Sequence, residues 1–381
     1  MKKLDFIFFD AGGGHRSAAN ALRHEIERQK RPWEVRMVNL QELLDPLDVF
    51  RKITGRRLED VYNLMLKKGW TLGSPQLTWG MHLVIGLYHG KQVRLLEKFW
   101  AESRPDLAVS LVPNFNRALC ESLGNALPRT PLVTILTDIA DYPPHFWIER
   151  QEQYVVCGSE RAVEQARAIG HPDEHIFRTS GMILNPRFYD PPALDRAAER
   201  RRLGLAADLP TGLVLFGGEG WRGMRGIAGH LDRSALKLQL ILICGRNAAL
   251  AERLRRMPHR IPMFVEGFTK EVPYYMALSD FFIGKPGPGA ISEALAMHLP
   301  VIVQRNAWTL PQERYNTQWI AERDAGIVLK NFRDIARAVS RLLEPVAYQR
   351  YRERAAAQHN RAVFEIPGIL ETILRVCENS G

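Results

Sequence analysis

Short apolar runs alternate with stretches in which apolar positions recur every three or four residues, almost throughout the chain. The run Asp5-Phe6-Ile7-Phe8-Phe9-Asp10 reads as a buried strand, ended by Ala11-Gly12-Gly13-Gly14 and followed by a helix to about residue 30. Further strands are predicted over 35–40, 106–111, 131–139, 153–159 and 176–181. Nearly continuous apolar strands alternating with helices mark a parallel sheet covered on both faces. Pro186, Pro191 and Pro192 then break the rhythm with a segment too stiff and too poor in N–H donors for a core. Beyond it, strands over 213–216, 238–244, 263–266, 281–283 and 300–304 alternate with helices over 248–257 and 289–298. The pattern predicts an α/β chain of two Rossmann-like, doubly wound domains facing a cleft, the natural place for a ligand. They cover residues 1–182 and 183–345, and a helical segment over 346–381 is expected to pack back toward the first.

One block, 48–103, has helical pattern and no convincing strand, and it changes the meaning of the composition. The 381 residues hold 52 Lys and Arg against 42 Asp and Glu, a formal charge of +10. Within 51–100 alone, nine Lys and Arg face three Asp and Glu, so more than half of the excess sits in this insertion-like block. It also holds Trp70, Trp79 and Trp100. Two uses stay open at this stage: an ordinary core with a solvated charged face, or a surface for anionic lipid. Composition otherwise excludes disorder, a collagen-like repeat and a disulfide scaffold. The four cysteines, Cys120, Cys157, Cys244 and Cys377, are scattered without metal-ligand spacing, which fits a reducing compartment. Asp5 and Asp10 interrupt the apolar run after Met1-Lys2-Lys3, and no stretch reaches the ~20 apolar residues that span a bilayer. The expected location is cytoplasmic and peripheral to a membrane, on the cytoplasmic face of the inner membrane in a bacterium.

Three glycine-rich turns follow strands. Gly12-Gly13-Gly14-His15 lacks both dinucleotide spacing and a P-loop lysine. It serves either as a tight βα turn or as one whose free N–H groups face a ligand. His15 falls in the first turn of the helix, where the positive helix end favours the neutral imidazole, a candidate general base. The second turn is Phe216-Gly217-Gly218-Glu219-Gly220, with the same two readings. The third, Gly284-Lys285-Pro286-Gly287-Pro288-Gly289, opens a helix with a lysine beside it, an anion-binding geometry. Glu293 lies one turn further, where a carboxylate can accept both hydroxyls of a ribose. Leu310-Pro311-Gln312-Glu313-Arg314-Tyr315-Asn316 reads as a polar loop suited to a polyhydroxy ligand or to plain solvent.

The ordered set Gly284-Lys285-Pro286-Gly287-Pro288-Gly289-Ala290-Ile291-Ser292-Glu293-Ala294, Leu299-Pro300, Gln312-Glu313 and Asn316 closely resembles the monogalactosyldiacylglycerol synthases and bacterial diacylglycerol glucosyltransferases. These are relatives of the peptidoglycan-precursor N-acetylglucosaminyltransferase. Gly12–Gly14 with His15, Phe216 to Gly220, Cys244-Gly245-Arg246-Asn247, Gly267-Phe268, and Thr137-Asp138 with His145 and Trp147 resemble the family's remaining motifs, in its order. The resemblance implies the two-Rossmann-domain GT-B fold and inverting transfer of a hexose from a UDP-sugar to a lipid acceptor such as diacylglycerol. It implies that peptide groups near Phe268 hold uracil and that Glu293 binds ribose. Gly217, Gly218, Gly287, Pro288 and Gly289 would cradle the diphosphate, with Lys285 or Arg246 assisting, and Gln312 and Glu313 would read the sugar. His15 is the first candidate base. Pro143 and Pro144 depart from the family's spacing between Asp138 and His145, which therefore rank behind it.

Helix ends and backbone N–H groups can stabilise a leaving diphosphate without a metal, so neither a cofactor nor an essential metal is expected. The expected partners are a UDP-hexose, diacylglycerol or a related lipid, and an anionic membrane surface. Gly13, Gly14, Trp70 and Trp79 are assigned to the acceptor and membrane side. No recognition-helix, RNP-like or zinc motif points to nucleic acid. The alternatives are a transferase with another lipid-linked or small acceptor, a UDP-sugar epimerase on the same fold, and a sugar-nucleotide-binding regulator.

Overall fold

The computed structural model describes residues 1–10, 14–47, 74–190 and 193–379. Two compact units divide them: one runs to Pro186 and resumes at Asn360, the other is Arg187–His359.

In the first unit, β1 (Lys2–Phe8), α1 (Gly14–Arg28), β2 (Trp33–Asn39) and α2 (Leu40–Leu44) come first. They are followed by α3 (Ser74–Ser103), β3 (Leu107–Ser110), α4 (Asn116–Ala126) and β4 (Leu132–Ile135). β5 (Tyr154–Cys157), α5 (Glu160–Ala168) and β6 (Ile176–Arg178) complete the sheet. Among the described residues it is six-stranded and parallel, in the order β2-β1-β3-β4-β5-β6. β1 is buried from Leu4 to Phe8, which explains its apolar composition. Asp5 is the exception. It stands opposite Arg36 in the β1–β2 register, fully buried, and its carboxylate pairs with that guanidinium at 2.7 Å. Arg36 also donates to the Ser103 carbonyl at 2.7 Å and so fixes the end of α3 to the sheet.

The second unit holds α6 (Arg196–Arg202), β7 (Thr211–Leu215), α7 (Met224–Asp232), β8 (Gln239–Ile243) and α8 (Ala248–Arg255). Next come β9 (Met263–Glu266), α9 (Val272–Ala277), β10 (Phe281–Gly284), α10 (Pro288–Ala296) and β11 (Val301–Gln304). α11 (Pro311–Glu322), β12 (Gly326–Leu329), α12 (Ile335–Leu342) and α13 (Pro345–Ala356) close it. This parallel sheet runs β12-β11-β10-β7-β8-β9. Its core joins Val214, Leu240, Phe281 and Ile302 to Ile227 and Leu231 of α7 and to Ile335 and Val339 of α12. Strand order reverses between β1 and β3 in one unit and between β7 and β10 in the other. At such a point the loops leaving neighbouring strands diverge and open a crevice at the C-terminal edge of the sheet.

Several elements differ from expectation. The strand expected over 131–139 stops at Ile135, because Thr137 and Asp138 turn away to make side-chain contacts. β12 was not anticipated. The polar segment Leu310–Asn316 is not a loop: Pro311 opens a helix at a position where its missing N–H costs nothing. The 346–381 segment is divided. α13 belongs to the second unit, while α14 (Ala362–Asn379) packs on α1 in the first. Glu371 of α14 pairs with Arg31 at 2.6 Å, and Glu365 accepts from the Ser180 hydroxyl at 2.7 Å. In the basic block, α3 turns Val93, Leu96 and Trp100 inward, with the Trp100 indole donating to Ser122 Oγ at 2.9 Å. Trp100 is therefore core. Leu87, Lys91, Arg94 and Lys98 are exposed on the same helix at spacings that share one face.

Arg36→Leu strands the buried Asp5 carboxylate without its counter-charge. The expected loss is about 3 kcal/mol, at the lower end for broken buried pairs because Arg36 is itself partly solvated. Urea unfolding measures it, and Asp5→Asn in the same background should restore part of the loss.

Candidate active site

In the second unit the loops after β7 and β8 are locked together. Gly245 has φ +57°, and a Cβ there would strike the Gly218 carbonyl. The Arg246 N–H donates to that same carbonyl at 2.8 Å. Arg246 then turns its side chain to Glu219, 3.1 Å away, and lies 4.7 Å over the Phe268 ring. Phe268 is 53 % exposed, unusual for a ring its size. The loop that presents it is anchored behind: Glu266 accepts from the Gly267 N–H and from the Tyr275 hydroxyl, each at 2.7 Å. The structure thus groups Arg246 with Phe268 and Glu219.

Beyond β10, Gly287 is extended and caps α10 without a side chain. Pro288 follows with no N–H to give, and the first turn carries no acid. The N–H groups of Gly289 and Ala290 are consequently available to an anion. Lys285 Nζ sits 3.0 Å from Glu313 Oε1. The fully buried Asn316 donates to the Pro286 carbonyl at 2.8 Å, tying α11 to this turn. Asn316 was expected only as part of a motif; its holding role needed the tertiary contact. Two of the predicted residues stay open. Gln312 and Glu293 make no side-chain hydrogen bond among the described residues. Burial without a compensating donor pushes Glu293 up to about 7.

In the first unit, His15 lies in the first turn of α1, directly after β1 and at the point where strand order reverses. The Thr137 hydroxyl is 2.9 Å from its Nδ1, and its ring is 5.8 Å from that of Trp147. The Trp147 indole donates to Asp138 Oδ2 at 2.8 Å. Asp138 is thereby linked to His15 through this tryptophan. Asp141, pushed up to about 6 by burial, accepts from the backbone N–H groups of Trp147 (2.6 Å) and His145 (2.9 Å). Burial pulls His15 down to about 4, outweighing a backbone hydrogen bond at Leu111. It is neutral at pH 7, with a ring nitrogen free of a proton. His145 turns its ring to the Ile148 carbonyl, 3.3 Å away, and lines a separate cavity of about 310 Å³ with His89 and Arg117. Thr137 and Trp147 are the neighbours that the sequence left without a role.

Gly14 is the first residue of α1, whereas Gly13 and Trp70 lie outside the described residues; Trp79 lies on α3. Among the described residues no helix is long and apolar enough to cross a membrane, and no cluster of His, Cys, Asp and Glu is arranged to hold a metal.

Residues 216–365 match the glycosyltransferase family 28 C-terminal domain. The chain is 28 % identical over 365 residues to the probable chloroplastic monogalactosyldiacylglycerol synthase 2 of Oryza sativa subsp. indica, covering 89 % of this chain and 73 % of that one. It is 27 % identical over 395 residues to the chloroplastic monogalactosyldiacylglycerol synthase of Spinacia oleracea, covering 98 % and 73 %. Its fold is that of Acinetobacter baumannii MurG, with a TM-score of 0.62 at 12 % identity over all of both chains. The UDP-GlcNAc 2-epimerase of Neisseria meningitidis, solved with UDP-GlcNAc, gives 0.61 at 13 % identity over 98 % of this chain and 100 % of that one. The two sheets form a GT-B glycosyltransferase fold.

The depressed His15 pKa carries a definite sign. The unfolded chain takes up this proton near the ordinary 6.5 and the folded chain only near 4, so stability from this group is full above 6.5 and lost as pH falls toward 4. An NMR titration of the imidazole should show a midpoint near 4, and His15→Gln should flatten the loss of stability between pH 6.5 and 4.

Proposed function

We propose that this chain, a glycosyltransferase, moves a hexose from a UDP-sugar to the hydroxyl of a lipid acceptor such as diacylglycerol, with inversion. The observation that carries the reading is Glu293: a half-buried carboxylate with no side-chain hydrogen bond among the described residues, one turn into a helix whose N-terminal N–H groups are free. A ribose supplies two hydroxyl donors to the carboxylate, and a diphosphate supplies charge to the helix end. The relatives named monogalactosyldiacylglycerol synthases support the lipid acceptor.

An acceptor alcohol is a weak nucleophile. His15, neutral and held by Thr137, takes its proton as the oxygen bonds to the anomeric carbon. The bond from that carbon to the diphosphate breaks on the opposite face, and UDP leaves with the electron pair. The Gly289 and Ala290 N–H groups and Lys285 meet the growing charge, and the Gly217-Gly218 turn shapes the remaining wall. Gln312 and Glu313 read sugar hydroxyls, Phe268 offers a ring face to the base, and Arg246 flanks it. Asp138 positions Trp147 against His15. Residues Leu87, Lys91, Arg94 and Lys98 on α3 suit peripheral contact with an anionic bilayer.

With UDP-galactose or UDP-glucose and liposomes containing diacylglycerol, UDP release should require the lipid, and a hexosyl lipid should be detected by mass. His15→Ala should lower kcat by about 10²–10⁴ with UDP affinity retained. An unchanged kcat removes His15 as base. Turnover of the donor without lipid would instead identify an epimerase, the reaction named for one structural relative.

A second outcome concerns pH. Ribose hydroxyls donate to the ionised Glu293, so below its pKa near 7 binding must first expel a proton. UDP affinity should fall up to about tenfold per pH unit below 7, as one-proton linkage requires, and Glu293→Gln should bind weakly without that slope. For stability the sign is opposite. The raised pKa gives a contribution that is full below 4.5 and lost as pH rises through 7, so Glu293→Gln should stabilise the ligand-free protein at pH 8.

A further inference from the structure

A cavity of about 250 Å³ lies in the second unit at the edge of the sheet opposite its glycine loops. Asp280 and Leu299, which stand just before β10 and β11, mark that edge, whereas Gly284 and Gln304 end the same strands at the other. Its walls are of two kinds. Met276 at the end of α9 and Met297 at the end of α10 give an apolar floor, while Arg196, His298, Tyr348 and Arg352 give a polar rim.

The rim is short of negative charge. Its carboxylate, Asp280, is already committed: it pairs with Arg200 at 2.7 Å and Arg196 at 2.9 Å and accepts from the Thr211 N–H at 2.8 Å. Arg352 faces the Tyr348 ring at 5.8 Å and has no carboxylate partner among the described residues. The Tyr348 hydroxyl is held by the Asp280 carbonyl at 3.2 Å, so the ring is fixed as a wall. His298 is pulled below its ordinary pKa by burial first, and then by the charges of Arg352 and His359. Arg196 and Arg200 spend donors on the Ser279 and Leu278 carbonyls, which neutralises the carbonyl end of α9. Arg352, which also hydrogen-bonds the Tyr348 side chain, and His298 line the cavity with no carboxylate paired to them among the described residues.

We propose that this cavity is a second ligand site, taking a small amphipathic anion, a carboxylate or phosphate monoester head on a short apolar body. The head sits between Arg352 and His298, and the body lies on Met276 and Met297. Neither group belongs to the donor or base machinery, so the site stands or falls independently of the proposed transferase reaction.

The test follows the His298 ring by NMR while the full chain is titrated with octanoate, phenyl phosphate, and the neutral octanol. Saturable shifts with an acidic probe, an upward move of the His298 titration midpoint, and at least tenfold weaker binding in Arg352→Ala are expected. Octanoate alone or phenyl phosphate alone would name the head group. Arg352 is exposed, so the variant should keep its thermal midpoint, and Arg352→Lys should retain part of the affinity. The proposal is overturned if neither acidic probe saturates, if octanol binds as well as octanoate, or if Arg352→Ala binds like the parent chain.

Discussion

Strands that all run one way and are covered on both faces leave their polar chain ends only one place to gather. Each strand delivers the next helix with its free N–H groups at the C-terminal edge of the sheet, and no side chain need be charged for that edge to attract an anion. Gly284 illustrates the constraint. A Cβ there would press on the Leu215 carbonyl of the neighbouring strand, so the backbone turns where only glycine fits and α10 begins uncapped. The same geometry in the first unit places His15 in the first turn of α1, where a proton is unwelcome.

Desolvation sets the chemistry of both units, and hydrogen-bond compensation decides what it leaves behind. Asp141 and Glu293 are both carboxylates raised by burial. Asp141 receives backbone donors from Trp147 and His145, which hold the loop that carries them. Glu293 receives none. One carboxylate is consumed by structure, and the other is the one that the proposed function gives to a ribose.

Much of the fold was legible because parallel strands must be apolar: β9 and β11 appear within a residue of their expected bounds. Legibility failed where a position has two uses. Pro311 marks a turn or the first residue of a helix, and the Gln312-Glu313 pair was read as loop for that reason. β12 is half-buried at a sheet edge and too short to show alternation. The glycine turns and Glu293 were legible because main-chain geometry demands glycine, and the family order fixes the carboxylate. The surroundings of His15 were not, since Thr137 lies 122 residues away and only the closed sheet brings it near. For the basic block the pattern left core and interface open, and at Trp100 the contacts decide for the core.

The charge excess separates from the donor site once the pairs are assigned. Lys285 stands against Glu313 and Arg246 against Glu219, so two of the cations beside the glycine loops already face a carboxylate, while Arg222 is exposed in the turn between them. The proposed diphosphate would meet two cations that are already paired. In the proposed reaction its recognition would rest on fixed N–H dipoles and on exchange of those two pairs, which favours a ligand with the correct shape over any polyanion. The exposed cations of α3 share one face, and the proposed peripheral contact with an anionic surface would use them. On the proposed function the basic face of α3 and the paired loops after β7 and β10 therefore serve separate ends.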